Sequence, residues 1–328
     1  MPGHLNGARP GLLKQRGFSL VETMVALVVG LAVTAAALSS YMGNRNTYKQ
    51  IEGIARLQET ARIAAALLES DIRQADGSLC RKGLTLDNQS GNNNWPAQPT
   101  NGIQGFDSVA MDVGDSITYA RQPGTDSFTV WSANANPMAQ VISVGVAPGG
   151  TRFFLDKPAN VANLAVGSLA VVCNYGAEVL FTVSTISGNA ITTNVPIQTL
   201  NVFGPGSLIT ALEANHWYIS NKTIPTNGSL NNLALRRSTL SANRLPSLEI
   251  VENVSDMQIT YLAGDANGRP TASTYVDATR INNWSQVLAV RITLTLTSPE
   301  AIAVGAGGAA SAETYQVPIT AAIRSRLP

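Results

Sequence analysis

Charge is scarce in this chain. Asp, Glu, Lys and Arg make up 13% of the 328 residues, and the formal net charge is +1 at pH 7. No basic patch accompanies that balance, which excludes a nucleic-acid partner held by electrostatics. Histidine is scarcer still, with only His4 and His216. A Ser-His-Asp triad beyond the N-terminal region would depend on His216, and His216-Trp217-Tyr218 lies in a β-type run where a packed histidine is expected. G-x-S-x-G, H-E-x-x-H and a glycine loop ending in Lys-Ser/Thr are all missing. Asp265-Ala266-Asn267-Gly268 has two oxygen side chains at i and i+2, half of a calcium loop. Val276 stands where the closing glutamate would be needed, so this stretch reads as a turn. No metal or other cofactor is expected, and the chain is not expected to be an enzyme.

Cysteine is equally sparse: Cys80 and Cys173 are the only two. Without paired Cys/His spacing, zinc is excluded. In an oxidising compartment a Cys80–Cys173 disulfide is the natural reading, with two buried free thiols as the alternative. Closing so long a loop would stabilise the fold by roughly 4–5 kcal/mol in the chain-entropy model.

Apolar character, by contrast, is abundant at 45%, and much of it is concentrated early. From Thr23 to Asn44 no residue carries a charge. At ~1.5 Å per residue such a helix runs roughly 33 Å, enough to cross a bilayer core of ~30 Å. The head of this run holds a carboxylate, Glu22, and just upstream Gly17 meets Phe18 behind Lys14 and Arg16. A plain anchor gains nothing from an acid there. A secretory signal peptide cut near Ala35-Ala36-Ala37 is a second alternative. Its apolar centre would be longer than the usual ~7–15 residues, and the run continues into an amphipathic helix.

Gly17-Phe18-Ser19-Leu20-Val21-Glu22 resembles the processing site of type IV prepilins and type II secretion pseudopilins. The resemblance implies cleavage after Gly17 by a prepilin peptidase, N-methylation of Phe18, and a subunit-docking role for Glu22, which would become the fifth residue of the mature chain. Losing Arg9, Lys14 and Arg16 with residues 1–17 would shift the formal balance from +1 to about −2. The basic leader predicts a cytoplasmic N-terminus, with everything after about Asn44 outside the inner membrane.

The helix is predicted to continue to about Ala75. Ile51, Ile54, Ala55, Gln58, Ala61, Ala65, Leu68 and Ile72 recur at spacings of three and four, a mostly apolar stripe. Glu52/Arg56 and Glu69/Arg73 are acid-first i,i+4 pairs. Gly30 and Gly43 are candidate bending or close-packing points, and the helix-breaking proline that many pilins carry in this region is missing. Asp71-Ile72-Arg73-Gln74-Ala75, followed by Cys80, resembles the end of the long helix in PilW-type minor pilins, although Asp76-Gly77 replaces their usual Gly-Tyr.

Beyond Leu84 the pattern changes. The stretch Asn88 to Gly102 is rich in Asn, Gly and Pro and reads as an exposed loop. Short β-type runs follow: Ser108–Val113, Ser116–Arg121, Ser127–Trp131, Val141–Val146, Arg152–Leu155, Leu169–Cys173, Val179–Ile186 and Ala190–Val195. Leu208–Leu212, Trp217–Ser220, Leu233–Arg237 and Glu249–Leu262 come next. Val287–Thr297 alternates cleanly, with Leu288, Val290, Ile292, Leu294 and Leu296 on one face. Ile302–Ala312 reads as a hairpin loop before a closing strand at Tyr315–Ile323. Val251-Glu252-Asn253-Val254-Ser255-Asp256-Met257-Gln258-Ile259-Thr260-Tyr261, then Trp284, then Val290-Arg291-Ile292, is similar to the C-terminal order of PilW-like proteins and J-type pseudopilins. The centre, roughly 84–230, resembles no family.

The expected fold is α+β and pilin-like, a long N-terminal helix packed on an antiparallel β-rich head. The expected divisions are a leader (1–17), a membrane or filament-core helix (18–44), its amphipathic half (45–79) and the head (80–328). The resemblance implies a minor pilin that helps assemble or prime a type IV pilus. It would sit in the inner membrane as a single-pass protein with a periplasmic head, and at the pilus tip after assembly. Its partners would be other minor and major pilins, prepilin peptidase, the inner-membrane assembly platform and lipid. The alternatives are a J-type pseudopilin, or a tip adhesin whose Trp95, Trp131 and Trp217 line a sugar site.

Overall fold

The computed structural model describes residues 19–76, 80, 84–91, 101–108, 120–133, 138–159, 163–198, 202–223, 232–240, 246–271, 273–298, 302–303, 310–311 and 313–327. Gly17, Phe18, Trp95 and most of the predicted runs Ser108–Val113 and Ser116–Arg121 lie outside them. The chain divides into two compact units, Met1–Glu52 and Gly53–Pro328.

Helix α1 spans Leu20–Gln74 without a break at Gly30 or Gly43. Hydroxyls in its apolar part bond back to its own backbone. Thr34 Oγ1 donates to the Gly30 carbonyl at 2.7 Å, and Thr47 Oγ1 to that of Gly43 at 3.1 Å. Each hydroxyl is thereby satisfied without a partner outside the helix. In the second unit, α1 buries Leu57, Ala61, Ala64, Leu68 and Ile72. The buried stripe is therefore rotated from the predicted one: Ile51, Ala55 and Gln58 face outward, and Ala65 is half-buried. The small Ala61 and Ala64 lie at the centre of the stripe that meets the core. Glu69 pairs with Arg73 as expected, at 3.4 Å. A further pair, Glu59–Arg62, forms at i,i+3 spacing and 2.7 Å.

The strands are β1 (Leu86–Asn88), β2 (Ile103–Phe106), β3 (Ser127–Ala133), β4 (Ala139–Ala147), β5 (Gly150–Leu155), β6 (Leu169–Cys173), β7 (Glu178–Ser187), β8 (Ala190–Thr193), β9 (Leu208–Asn221), β10 (Leu233–Leu240), β11 (Ser247–Glu252), β12 (Val254–Ala263), β13 (Val287–Thr297), β14 (Ile302–Ala303), β15 (Ala310–Ser311) and β16 (Thr314–Ala322). Their pairings close a ring. Strand β6 pairs β7, β7 pairs β8, β8 pairs β5, β5 pairs β4, β4 pairs β9, and β9 pairs β6, every pair antiparallel. This is a six-stranded closed barrel, whose closure removes exposed strand edges. Its interior is filled by side chains that include Val141, Phe153, Leu155, Val172, Phe181 and Ile209. The tilted Phe153 and Phe181 rings lie 5.8 Å apart between centroids. The unrecognised centre of the sequence is thus largely this barrel. One exception to antiparallel pairing is β1, which runs parallel to β7 in register with Glu178, Val179 and Leu180.

Strand β9 belongs to two structures. Residues 208–211 complete the barrel beside β6, while 212–221 pair with β3 and β10. There β9 is the middle of a sheet ordered β2-β3-β9-β10-β11. The two predicted strands Leu208–Leu212 and Trp217–Ser220 are therefore one. Between them Asn215 and His216 are buried and bonded: Asn215 Oδ1 accepts from Thr239 Oγ1 at 2.7 Å, and His216 Nδ1 lies 2.9 Å from Thr129 Oγ1. Conversely, the predicted strand Glu249–Leu262 is two strands. Asn253 has φ 62°, a left-handed conformation, and turns the chain from β11 into β12.

Strands β12, β13 and β16 form a second sheet. The even-numbered β13 residues point inward, as their alternation predicts. The C-terminal half of α1, both sheets and Ile103, Phe128, Trp217 and Leu235 share one core. Within Ile302–Ala312, β14 and β15 pair as a short hairpin.

Candidate functional site: the N-terminal helix and its attachment

The first turn of α1 carries Glu22, the acidic residue closest to the helix N-terminus. A carboxylate there faces the positive end of the helix dipole. Around it the helix presents bare apolar surface: Leu20 is 75% exposed and Val28 70%, with Val21, Met24, Val25 and Leu31 similar. No part of its most apolar window is buried. A helix that is hydrophobic all round requires lipid or other helices. Gly17 and Phe18 fall outside the described residues, so only Glu22 of the predicted processing-and-docking set has a structural setting.

The other end of α1 is fixed by side chains. Trp217 Nε1 donates to Asp71 Oδ2 at 2.8 Å. Arg237 lies 4.0 Å from the same oxygen and 5.6 Å from the Trp217 ring centroid. Burial pushes the Asp71 carboxyl above its ordinary pKa, and the Trp217 hydrogen bond and Arg237 oppose that rise. The helix stops at Asp76, which has φ 57°, the left-handed terminus common at helix ends. Its N–H donates to the Trp131 carbonyl at 3.0 Å.

From the far end of the chain, Arg326 Nε donates to Asp76 Oδ2 at 2.8 Å. The rest of that guanidinium donates to the carbonyls of Trp284, Val287 and Asn101. Ser325 Oγ caps the Ala75 carbonyl at 3.1 Å. Sequence reasoning misses Arg326, because an arginine next to a C-terminus carries no local pattern.

Cys80 and Cys173 are disulfide-bonded with a Cα–Cα distance of 5.9 Å across 93 positions. Because Cys173 ends β6, the bond joins the segment after α1 to the barrel wall. This agrees with the predicted tie between helix end and β-region. Trp131 and Trp217 are 1% and 0% exposed, so neither offers a face to a sugar. His216 is fully buried, stacked on Tyr218 at 5.2 Å and edge-on to Phe106 at 6.2 Å, the packed histidine expected. Asp265 Oδ1 accepts from the N–H groups of Asn267 and Arg269 at 2.8 and 2.9 Å, which makes that stretch a turn. Among the described residues no group of three His, Cys, Asp or Glu side chains could hold a metal ion.

Two family models agree with this arrangement. A prokaryotic N-terminal methylation motif matches residues 12–38, the processing site and start of α1. The model for type IV pilus-assembly protein W matches residues 216–322. Both ends of the chain are type IV pilin-like. The PilW-type match begins at His216, inside β9 beyond its barrel-forming residues, and runs to the end of β16. Trp217, which holds Asp71, lies within that segment, while the barrel precedes it. No curated protein and no solved structure matches the chain. The two matches, the long apolar helix and the β-rich remainder support a membrane-anchored minor pilin related to type IV pili.

Proposed function

We propose that this chain is a minor pilin subunit that takes part in assembly or priming of a type IV pilus, docking through its N-terminal helix. The observation that carries the reading is Glu22 in the first turn of a helix with exposed apolar surface. An unpaired carboxylate in lipid costs roughly a few kcal/mol, depending on depth. Prepilin peptidase would cut between Gly17 and Phe18, leaving a free amine on Phe18, a group with a reference pKa near 8, which is then N-methylated. Glu22 pairs with that amine on its own or a neighbouring pilin, offsetting the cost and selecting the packing register. The N-terminus is cytoplasmic before assembly and the head periplasmic. The inner-membrane platform and other minor and major pilins are the partners. The barrel that precedes the PilW-type segment favours an end of the filament, since such a bulky addition suits a tip subunit better than a repeating shaft.

The test is fractionation of membranes from sheared filaments. Glu22→Ala removes a charge from an apolar segment, so insertion and Gly17–Phe18 cleavage persist. The processed protein is expected in the membrane and missing from filaments, or unable to support their initiation. Glu22→Ala protein in filaments at the normal level would refute docking through the carboxylate. A mature chain beginning near Leu38 would refute the processing scheme.

A further inference from the structure

A groove of about 860 Å³ lies beside β16, lined by Ser70, Arg73 and Gln74 of α1 together with Tyr275, Thr320 and Arg324. Among the described residues, β16 pairs with β13 on one side only. The Ile323 N–H donates to the Leu288 carbonyl at 2.8 Å. Backbone direction alternates along an antiparallel ladder. The odd-numbered residues from Tyr315 to Ala321 therefore bond to β13, and Gln316, Pro318, Thr320 and Ala322 point their backbone groups outward. Pro318, opposite Thr293, has no N–H to offer. The outward N–H groups of Thr320 and Ala322 remain, on the two β16 residues that line the groove.

Cations surround this edge. Arg73 pairs with the half-buried Glu69 alone among the described carboxylates, and Arg324 pairs with none of them. Arg291, the register partner of Thr320, lies 4.1 Å over the Tyr275 ring. Among the described residues, three guanidinium groups thus meet one carboxylate beside a strand edge that no other strand pairs. Exposed edges take up further strands, and carboxylates match guanidinium groups. Pairing with the same edge of a second copy would bring Arg73 and Arg324 against their own equivalents, like charge on like.

We infer that this groove binds an extended, acidic segment of another protein as an added strand along Thr320–Ala322, its carboxylates held by Arg73 and Arg324. This surface is separate from Glu22, and its test needs no filament.

Fluorescence anisotropy can read binding of a labelled Glu-Val-Glu-Val-Glu peptide to the full chain in detergent micelles. Saturable binding is expected, with none for the Lys-Val-Lys-Val-Lys counterpart. Arg73→Gln combined with Arg324→Gln should weaken it about tenfold or more, as loss of charge-assisted hydrogen bonds implies. Thr320→Pro removes an outward N–H and keeps both arginines, and should weaken it comparably. Ala322→Pro serves the same purpose if Thr320→Pro does not fold. Absence of saturable binding overturns the inference and leaves Pro318 and the arginines as guards of the edge. Binding indifferent to both proline variants would mean surface charge only. Concentration-dependent self-association lost in Thr320→Pro would assign the edge to a second copy instead.

Discussion

Asp71 and Trp217 are 146 positions apart in sequence and share a 2.8 Å hydrogen bond. It ties the last turns of α1 to the centre of the β2-β3-β9-β10-β11 sheet. Asp71→Ala would leave the buried indole N–H without its acceptor and Arg237 without its carboxylate. A loss of about 1.5–3 kcal/mol is expected. Asp71→Asn keeps an acceptor and should cost less than about 1 kcal/mol, because it also removes a charge whose burial is unfavourable. Urea midpoints of the full chain in micelles, followed by tryptophan emission, distinguish the two. Equal midpoints for Asp71→Ala and wild type would show that the bond contributes nothing.

That contact also shows what a sequence can and cannot reveal. Asp71 stands out as part of a helix-end pattern resembling PilW-type pilins, but nothing local names Trp217 as its partner. The long helix and β13 are legible because each has a single period and one buried side. Strand β9 is not, because a strand buried between neighbours can hold Asn215 and His216 once cross-strand hydroxyls satisfy them. The turn at Asn253 depends on a positive φ that asparagine tolerates but does not announce. Barrel closure depends on registers among strands up to dozens of residues apart, and alternation within each strand is silent about its neighbours. The attachment of α1 is half legible: the disulfide follows from there being two cysteines, while Arg326 emerges only from the fold.

Gly105 and Tyr261 form the second tight contact. A Cβ on Gly105 would lie 1.9 Å from the Tyr261 hydroxyl oxygen and 2.9 Å from Trp284. Tyr261 and Trp284 are packed edge to face at 4.9 Å, so neither ring yields freely. Gly105→Ala should destabilise by about 3 kcal/mol, at the upper end of ordinary overpacking. Among the described residues no protein group takes the buried Tyr261 hydroxyl. Tyr261→Phe should therefore be neutral or stabilising by about 1 kcal/mol. In the Tyr261→Phe background the Gly105→Ala loss should shrink but persist, because ring carbon and Trp284 still crowd the site. Additive losses in a double-mutant cycle would mean that the hydroxyl is not the obstacle.

Asp126 supplies a pH dependence whose sign can be worked out. Its N–H donates to the Met257 carbonyl, and its Oδ2 accepts from the Ile259 N–H, each at 2.8 Å. The Ser108 N–H is a further donor. Burial is the largest influence and lifts the carboxyl from its ordinary value near 3.8 to about 6. Asp107 pushes the same way, while the backbone donors and Arg121 oppose. Between those two values the folded chain holds a proton that the unfolded chain has lost, so stability falls as pH rises across that window and levels off above it. Asp126→Asn cannot titrate. The informative quantity is the difference between the two proteins measured by urea midpoint at pH 4, 5, 6 and 7.5. Wild type should lose stability relative to Asp126→Asn as pH rises through that range, with Asp71 contributing equally to both. Parallel profiles would mean that Asp126 ionises in the folded chain as readily as in the unfolded one, and that its carboxylate is not held at the cost of burial.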